Sequence, residues 1–208
     1  MKKILITGGS GFVGQEVIKK ALQGGYLVTY LSRHEGRGEI FKNPKLKYIQ
    51  ADLLSGQSIY LSETVDLIIH LVGAIKVHEL ERLNYQAMQG VIRLAKDNQI
   101  ERILYLTAKV GYPSYLKSKR QSEELLISSG LFYGILSSGL IYGSKRPLAN
   151  LLGQLSCQMI HFPFIDNLVV KLGAIPVEEV AISLLEHAKN DCQSYQENLR
   201  PAYAIKKE

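Results

Sequence analysis

A chain of 208 residues with 46% hydrophobic and 21% charged content has the size and balance of one ordinary globular domain with a real core. No run of about 18 apolar residues occurs, so no transmembrane helix is expected. The net charge of +6 raises nucleic acid as a partner, but the basic residues are scattered pairs such as Lys2-Lys3, Lys19-Lys20 and Lys206-Lys207. They form no long run, and that class is set aside.

Met1-Lys2-Lys3 leads straight into Ile4 to Thr7. This apolar stretch is too short for a signal h-region, so a cytoplasmic chain is expected. Ile4 to Thr7 reads as a short buried parallel strand, followed by a glycine turn and an amphipathic helix from about Phe12 to Gln23. Strand, glycine turn and helix in that order hold a dinucleotide in doubly wound α/β domains. Gly8 lets the chain reverse, Gly11 lets the backbone approach a pyrophosphate, and Gly14 lets the helix pack tightly on the sheet. Ser10, Phe12 and Val13 complete the turn and count with them as cofactor-binding residues. The helix N-terminus offers N–H donors and a positive dipole end to the phosphates. The spacing Gly8-x-x-Gly11-x-x-Gly14 resembles the extended and atypical branches of the short-chain dehydrogenase/reductase superfamily. The resemblance implies a single Rossmann-type α/β domain over residues 1–208. Its doubly wound parallel sheet would have about seven strands, with a small C-terminal cap from residues 144–175 and the tail.

Tyr26 to Leu31 reads as the second strand, after a helix stop at Gly24-Gly25. NAD-selective sites carry an acid after this strand. Here Ser32-Arg33-His34 follows, and a guanidinium pairs bidentately with a 2′-phosphate, so NADP is preferred to NAD. Arg37 is a second candidate for that role. Leu46 to Gln50 is the third strand, leading to Ala51-Asp52-Leu53. The resemblance puts Asp52 and Leu53 beside the adenine; an Asx turn or helix cap is the structural alternative for Asp52, and both can hold. Val65 to Val72 is the fourth strand, an apolar run of the kind covered on both faces. Val72 and Gly73 then border the cofactor, and His70 reads as a core histidine bonded to backbone.

Glu79 to Asn98 is the longest helical pattern, with Leu80, Leu83, Ala87, Val91, Leu94 and Ala95 near helical spacing. In some relatives the asparagine matching Asn84 helps hold an active-site water; a structural hydrogen bond is at least as good a reading. Arg102 to Thr107 is the fifth strand. Tyr115 and Lys119, four apart, lie on one helix face. A neighbouring ammonium favours the phenolate and makes a tyrosine a workable acid–base group. Tyr115 would exchange a proton with a substrate oxygen, Lys119 would tune it and bond the nicotinamide ribose, and Thr107 would steady the substrate oxygen. Ser114 is the substitute if the short link from Thr107 to Tyr115 misplaces Thr107. The run from Tyr115 to Glu124 resembles the tyrosine–lysine helix of atypical short-chain reductases. Relatives often carry Arg-Pro where this chain has Ser137-Ser138.

Residues 147–165 contain no Asp, Glu, Lys or Arg. An uncharged cap suits an apolar small-molecule substrate, a protein interface or a membrane surface, and core packing suits it equally. His161 reads as structural, and Cys157 and Cys192 as free thiols without metal-like spacing. Ile175 to Ala181 opens the last clear helix, with Pro176 near its start and Glu178-Glu179 in its first turn. Tyr195 to Ile205 holds one more strand. The leading function is an NADP(H)-dependent oxidoreductase or epimerase-like enzyme. The rival is a non-catalytic NADP(H)-binding regulatory or complex-stabilising protein, as in the NmrA-like regulators and the NADPH-binding accessory subunit of respiratory complex I, which the chain also resembles.

Overall fold

The computed structural model describes residues 2–144, 173–189 and 193–199. Seven parallel strands form one sheet: β1 (Lys3–Thr7), β2 (Leu27–Ser32), β3 (Leu46–Gln50), β4 (Leu67–His70), β5 (Arg102–Ala108), β6 (Phe132–Ser138) and β9 (Tyr195–Asn198). Their order is β3-β2-β1-β4-β5-β6-β9, which reverses direction between β1 and β4. That is the switch point at which doubly wound sheets bind ligands, beyond the carboxyl ends of the strands. β7 (Ile141–Tyr142) and β8 (Ile175–Pro176) pair separately.

Helices cover both faces. On one side α1 (Phe12–Gln23) and α4 (Val177–Lys189) bury Val17, Ile18, Val180 and Leu184 against Ile4, Ile6, Ile69 and Leu104. On the other, α2 (Ala87–Asp97) and α3 (Pro113–Ile127) bury Met88, Val91, Leu94 and Leu126 against Leu5, Ile68, Ile103 and Ile135. The central strands β1 and β4 read as nearly unbroken apolar runs because both of their faces are covered, while the edge strands β3 and β9 carry polar, exposed residues.

Several element boundaries differ from expectation, β2 by one residue at each end and β5 by one at its C-terminal end among them. The fourth strand is shorter, since Val65 and Asp66 precede the ladder and Leu71 and Val72 turn away along the cleft. The long helical pattern is two pieces, a π-helical turn over Glu81–Gln86 and then α2. The wide turn carries buried Asn84 inward, where its side chain bonds neighbouring chain segments; such turns concentrate at functional sites. The last strand covers only Tyr195–Asn198. Most of the expected cap, with Cys157, His161 and Cys192, lies outside the described residues.

Candidate active site

Two cavities meet at the carboxyl ends of the strands. The first, about 250 Å³, is walled by Gly8, Ser10, Gly11, Ser32, Arg33, Asp52, Leu53, Val72 and Gly73. The second, about 320 Å³, is walled by Val13, Gly73, Thr107, Tyr115 and Lys119, with Ile75, Leu140 and Ile141 adding apolar surface. Leu71 and Gly73 belong to both walls, so the two cavities are neighbours across these residues. Of the expected cofactor residues, Phe12 and Gly14 line neither cavity, and Val13 lines the second.

The glycine turn fits a dinucleotide. Gly8 has φ +76°, and a Cβ there would come within 2.9 Å of the Leu71 carbonyl carbon. Gly11 caps α1 with no side-chain bond to the first turn, which leaves N–H donors and the dipole end for an anion. Gly14 acts differently from expectation. Its Cβ would lie 2.3 Å from the Gly8 oxygen and 2.7 Å from the Gly9 Cα, so it seats α1 on the turn itself rather than on the sheet. Gly9, given no role by its spacing, has the same tightness: a Cβ would sit 2.7 Å from that of Tyr30 on β2. Gly8, Gly9 and Gly14 are closed by backbone or core atoms, while a Cβ at exposed Gly11 would meet only the Gly8 oxygen, at 3.1 Å.

The adenosine end is shaped by short polar turns. Ser32 Oγ donates to the His34 carbonyl at 2.6 Å, which fixes the bend carrying exposed Arg33 on the cavity wall. Arg37 is exposed and is not part of that wall. Asp52 accepts from the Leu54 N–H at 3.0 Å. This is an Asx turn, the structural alternative, and it leaves Asp52 in the wall of the first cavity.

At the other end, Pro113 opens α3, the position where its missing N–H costs nothing. Tyr115 is half-buried and Lys119, one turn on, is buried, while Lys117 points to solvent. The Lys119 Nζ is 5.9 Å from the Tyr115 ring centroid and donates to the Tyr105 hydroxyl at 3.2 Å. Burial holds the Lys119 pKa below its ordinary value; the Tyr115 and Glu123 charges oppose that fall. Gly73 makes room for the ammonium, since a Cβ there would be 3.0 Å from Nζ. Thr107 is buried, and its hydroxyl donates to Glu123 Oε1 at 2.5 Å. Ser114 is exposed and outside the second cavity wall.

Asn84 is a clamp. Its side chain accepts from the Ala74 N–H at 3.0 Å, donates to the Ala74 carbonyl at 3.2 Å and donates to Ser118 Oγ at 2.9 Å. It thereby ties the loop after β4 to α3, which is the structural reading of this residue. His70 bonds a side chain rather than backbone: its Nδ1 lies 2.7 Å from Thr7 Oγ1. Strand register explains the pair, since Thr7 sits opposite His70 and His70 opposite Tyr105.

Burial, and then the nearby Lys119 charge, push the His70 pKa down to about 3. The unfolded chain binds a proton near pH 6.5 that the folded chain refuses. The contribution of His70 is therefore complete above that pH. It is lost as pH falls from about 6.5 toward 3, at up to about 1.4 kcal/mol per unit. Urea-midpoint profiles of the wild type and His70→Asn should diverge in this window, the wild type falling more steeply; parallel profiles would refute the assignment.

Among the described residues no helix is long and apolar enough to cross a membrane, and no group of three or more His, Cys, Asp or Glu is placed to hold a metal.

The human sterol-4-alpha-carboxylate 3-dehydrogenase (decarboxylating) is 29% identical over 129 residues, covering 60% of this chain and 34% of that protein. Ceramide reductase of Caulobacter vibrioides is 24% identical over 189 residues, covering 88% of this chain and 59% of that one. The chain thus spans about a third of the sterol enzyme and under two thirds of the ceramide enzyme. Among solved structures, the Bordetella bronchiseptica enzyme WbmH in complex with NAD+ matches with a TM-score of 0.70 at 18% identity, covering 96% of this chain and 75% of that one. The model of the NAD dependent epimerase/dehydratase family matches residues 4–135, from the first strand through the glycine turn and the tyrosine–lysine helix. The chain belongs to the NAD dependent epimerase/dehydratase family, within the extended short-chain dehydrogenase/reductase superfamily.

Proposed function

We propose that this protein is an NADP(H)-dependent oxidoreductase or epimerase-like enzyme acting on a small molecule with an apolar body. The observation that supports this reading is the adjacency of the two cavities: the glycine turn and the Tyr115–Lys119 pair line neighbouring pockets that share Leu71 and Gly73. Gly8, Ser10 and Gly11 would hold the pyrophosphate, Asp52, Leu53 and Val72 the adenine side, and Lys119 the nicotinamide ribose. The bound nicotinamide supplies or accepts the hydride. Tyr115 gives a proton to, or takes one from, the substrate oxygen, and the Lys119 ammonium stabilises the phenolate that results. The apolar walls at Ile75, Leu140 and Ile141 suit an aliphatic or ring-shaped substrate body, in keeping with the sterol and ceramide names of two relatives.

Arg33 carries the NADP preference. No acid stands at Ser32-Arg33-His34 to accept from a ribose 2′-hydroxyl, and the guanidinium is free to meet a 2′-phosphate. Arg33→Ala is expected to weaken NADPH binding about tenfold, the value of one exposed charge-assisted contact near 1.4 kcal/mol. NADH binding should be unchanged. Equal loss for both cofactors, or no loss, would remove the preference.

One observation favours a second reading, nucleotide binding without turnover. The Thr107 hydroxyl is engaged by Glu123, and the next residue, Ala108, has no hydroxyl to offer. The experiment is NADPH oxidation by the purified protein against a panel of hydrophobic ketones and sugar nucleotides. Carbonyl-dependent oxidation supports the enzyme; cofactor binding with no oxidation across the panel supports the binding protein.

A further inference from the structure

Two residues lining the second cavity have no part in the proposed proton transfer: Ile75, in the loop after β4, and Tyr112, the residue before α3. They are joined, because the Tyr112 hydroxyl donates to the Ile75 carbonyl. A half-buried phenol therefore bridges two segments of the cavity wall. Both ends of the bridge are held. At one end Asn84 grips the N–H and carbonyl of Ala74 and ties them to Ser118 on α3. At the other, the Tyr112 ring lies 5.8 Å from the Tyr115 ring, tilted by 41°. The chain just before it presses on that same ring, since a Cβ at Gly111 would come within 2.4 Å of Tyr115 Cδ1. A tyrosine side chain turns about two bonds only, so anchoring its tip fixes the ring.

We propose that Tyr112 is a specificity-determining residue whose ring, anchored on the Ile75 carbonyl, closes the cavity between the loop after β4 and the start of α3. This deepens the proposed function and rests on it for the meeting of the substrate oxygen with Tyr115. In the sheet β5 lies between β4 and β6. Closing the β4 side of the β5 loop leaves the β6 side, where Leu140 and Ile141 supply apolar wall. A substrate held at Tyr115 extends its body that way and has no room for a second large group toward Ile75. The substrate class is a carbonyl compound, or the matching alcohol, with one bulky apolar arm and one short arm.

Two isomeric ketones test this, methyl nonyl ketone with one long arm and dipentyl ketone with two equal ones. They carry the same number of carbons, so the ratio of their affinities reads shape rather than hydrophobicity. Dissociation constants are measured by calorimetry with and without NADP+, which has no hydride to give, so no turnover is needed. The wild type is expected to bind methyl nonyl ketone about tenfold or more tightly than its isomer, the worth of a methylene or two that an apolar pocket refuses. Tyr112→Ala removes the ring and should bring the ratio close to one. Tyr112→Phe keeps the ring packed at the start of α3 but frees its tip, and should give an intermediate ratio; it carries the test if the alanine variant fails to fold. Tyr60→Ala, at an exposed position lining neither cavity, should leave the ratio unchanged. A wild-type ratio near one, an unchanged ratio in a folded Tyr112 variant, the same collapse in Tyr60→Ala, or binding of neither ketone overturns the proposal. NADPH oxidation with both ketones is followed alongside. A shifted ratio without oxidation in any variant would sink the enzyme and keep the closed wall; oxidation without a shifted ratio would sink the wall alone.

Discussion

Tyr115→Phe is expected to lower turnover of any carbonyl substrate by about 10²–10⁴-fold, the usual worth of a positioned acid–base group. NADPH affinity should stay unchanged. The two effects separate because the phenol belongs to the second cavity and contributes nothing to the wall of the first. Phenylalanine preserves the ring, its packing against Tyr112 at 5.8 Å between centroids and the start of α3, while removing the only proton the reaction needs. Lys119 cannot replace it, since its ammonium is drawn back to the Tyr105 hydroxyl. The measurement is steady-state NADPH oxidation together with a cofactor titration on both proteins. Equal, slow oxidation by wild type and variant would mean that the tyrosine does no chemistry, and would favour the binding protein.

The second large effect is on stability. Gly14→Ala places a methyl group 2.3 Å from the Gly8 carbonyl oxygen and 2.7 Å from the Gly9 Cα. Both are backbone atoms in a turn fixed from behind by Leu71, Val72 and Tyr30, so neither can swing aside as a flexible side chain would. Overpacking of this kind costs about 1–3 kcal/mol and sometimes more. For a domain of this size each kcal/mol lowers Tm by about 2–4 °C. Calorimetric melts should therefore show Gly14→Ala falling by about 2–12 °C, with weaker NADPH binding because α1 is pushed off the turn. Gly24→Ala is the comparison: its φ is −77° and the nearest atom, 3.3 Å away, is the edge of the Tyr26 ring. It should change Tm little. Equal falls in the two variants would contradict the seating of α1 on the turn.

The placement of the candidate dinucleotide residues was legible because it is local. Gly8, Gly9, Arg33 and Asp52 each follow a strand by one or two residues, with Ser32 closing β2 and Gly11 and Gly14 a few residues further on. All parallel strands deliver such turns to the same edge. The Tyr115–Lys119 pair was legible for the same reason, as helix periodicity alone puts the two on one face. What could not be read depends on contacts across the sheet. Thr7, His70 and Tyr105 form a row only because β1, β4 and β5 are neighbours in that register. Their signal in the chain is a polar residue at the end of β1 and of β4 and a tyrosine in the middle of β5. The π-helical turn escaped because its sequence fits an α-helix equally well; the inward pull of Asn84 on Ala74 and Ser118 is a tertiary choice. Thr107 was placed at the correct strand end, but its hydroxyl is taken by Glu123 on α3, which spacing along the chain does not reveal.

The most direct test of the account is a calorimetric titration of the purified protein with NADPH and, separately, with NADH. The account predicts binding of NADPH in the micromolar range, about −8 kcal/mol, with NADH distinctly weaker. Binding of neither would contradict it at its centre, because the glycine turn, the open α1 N-terminus and the neighbouring cavity of Tyr115 would then have no cofactor to serve.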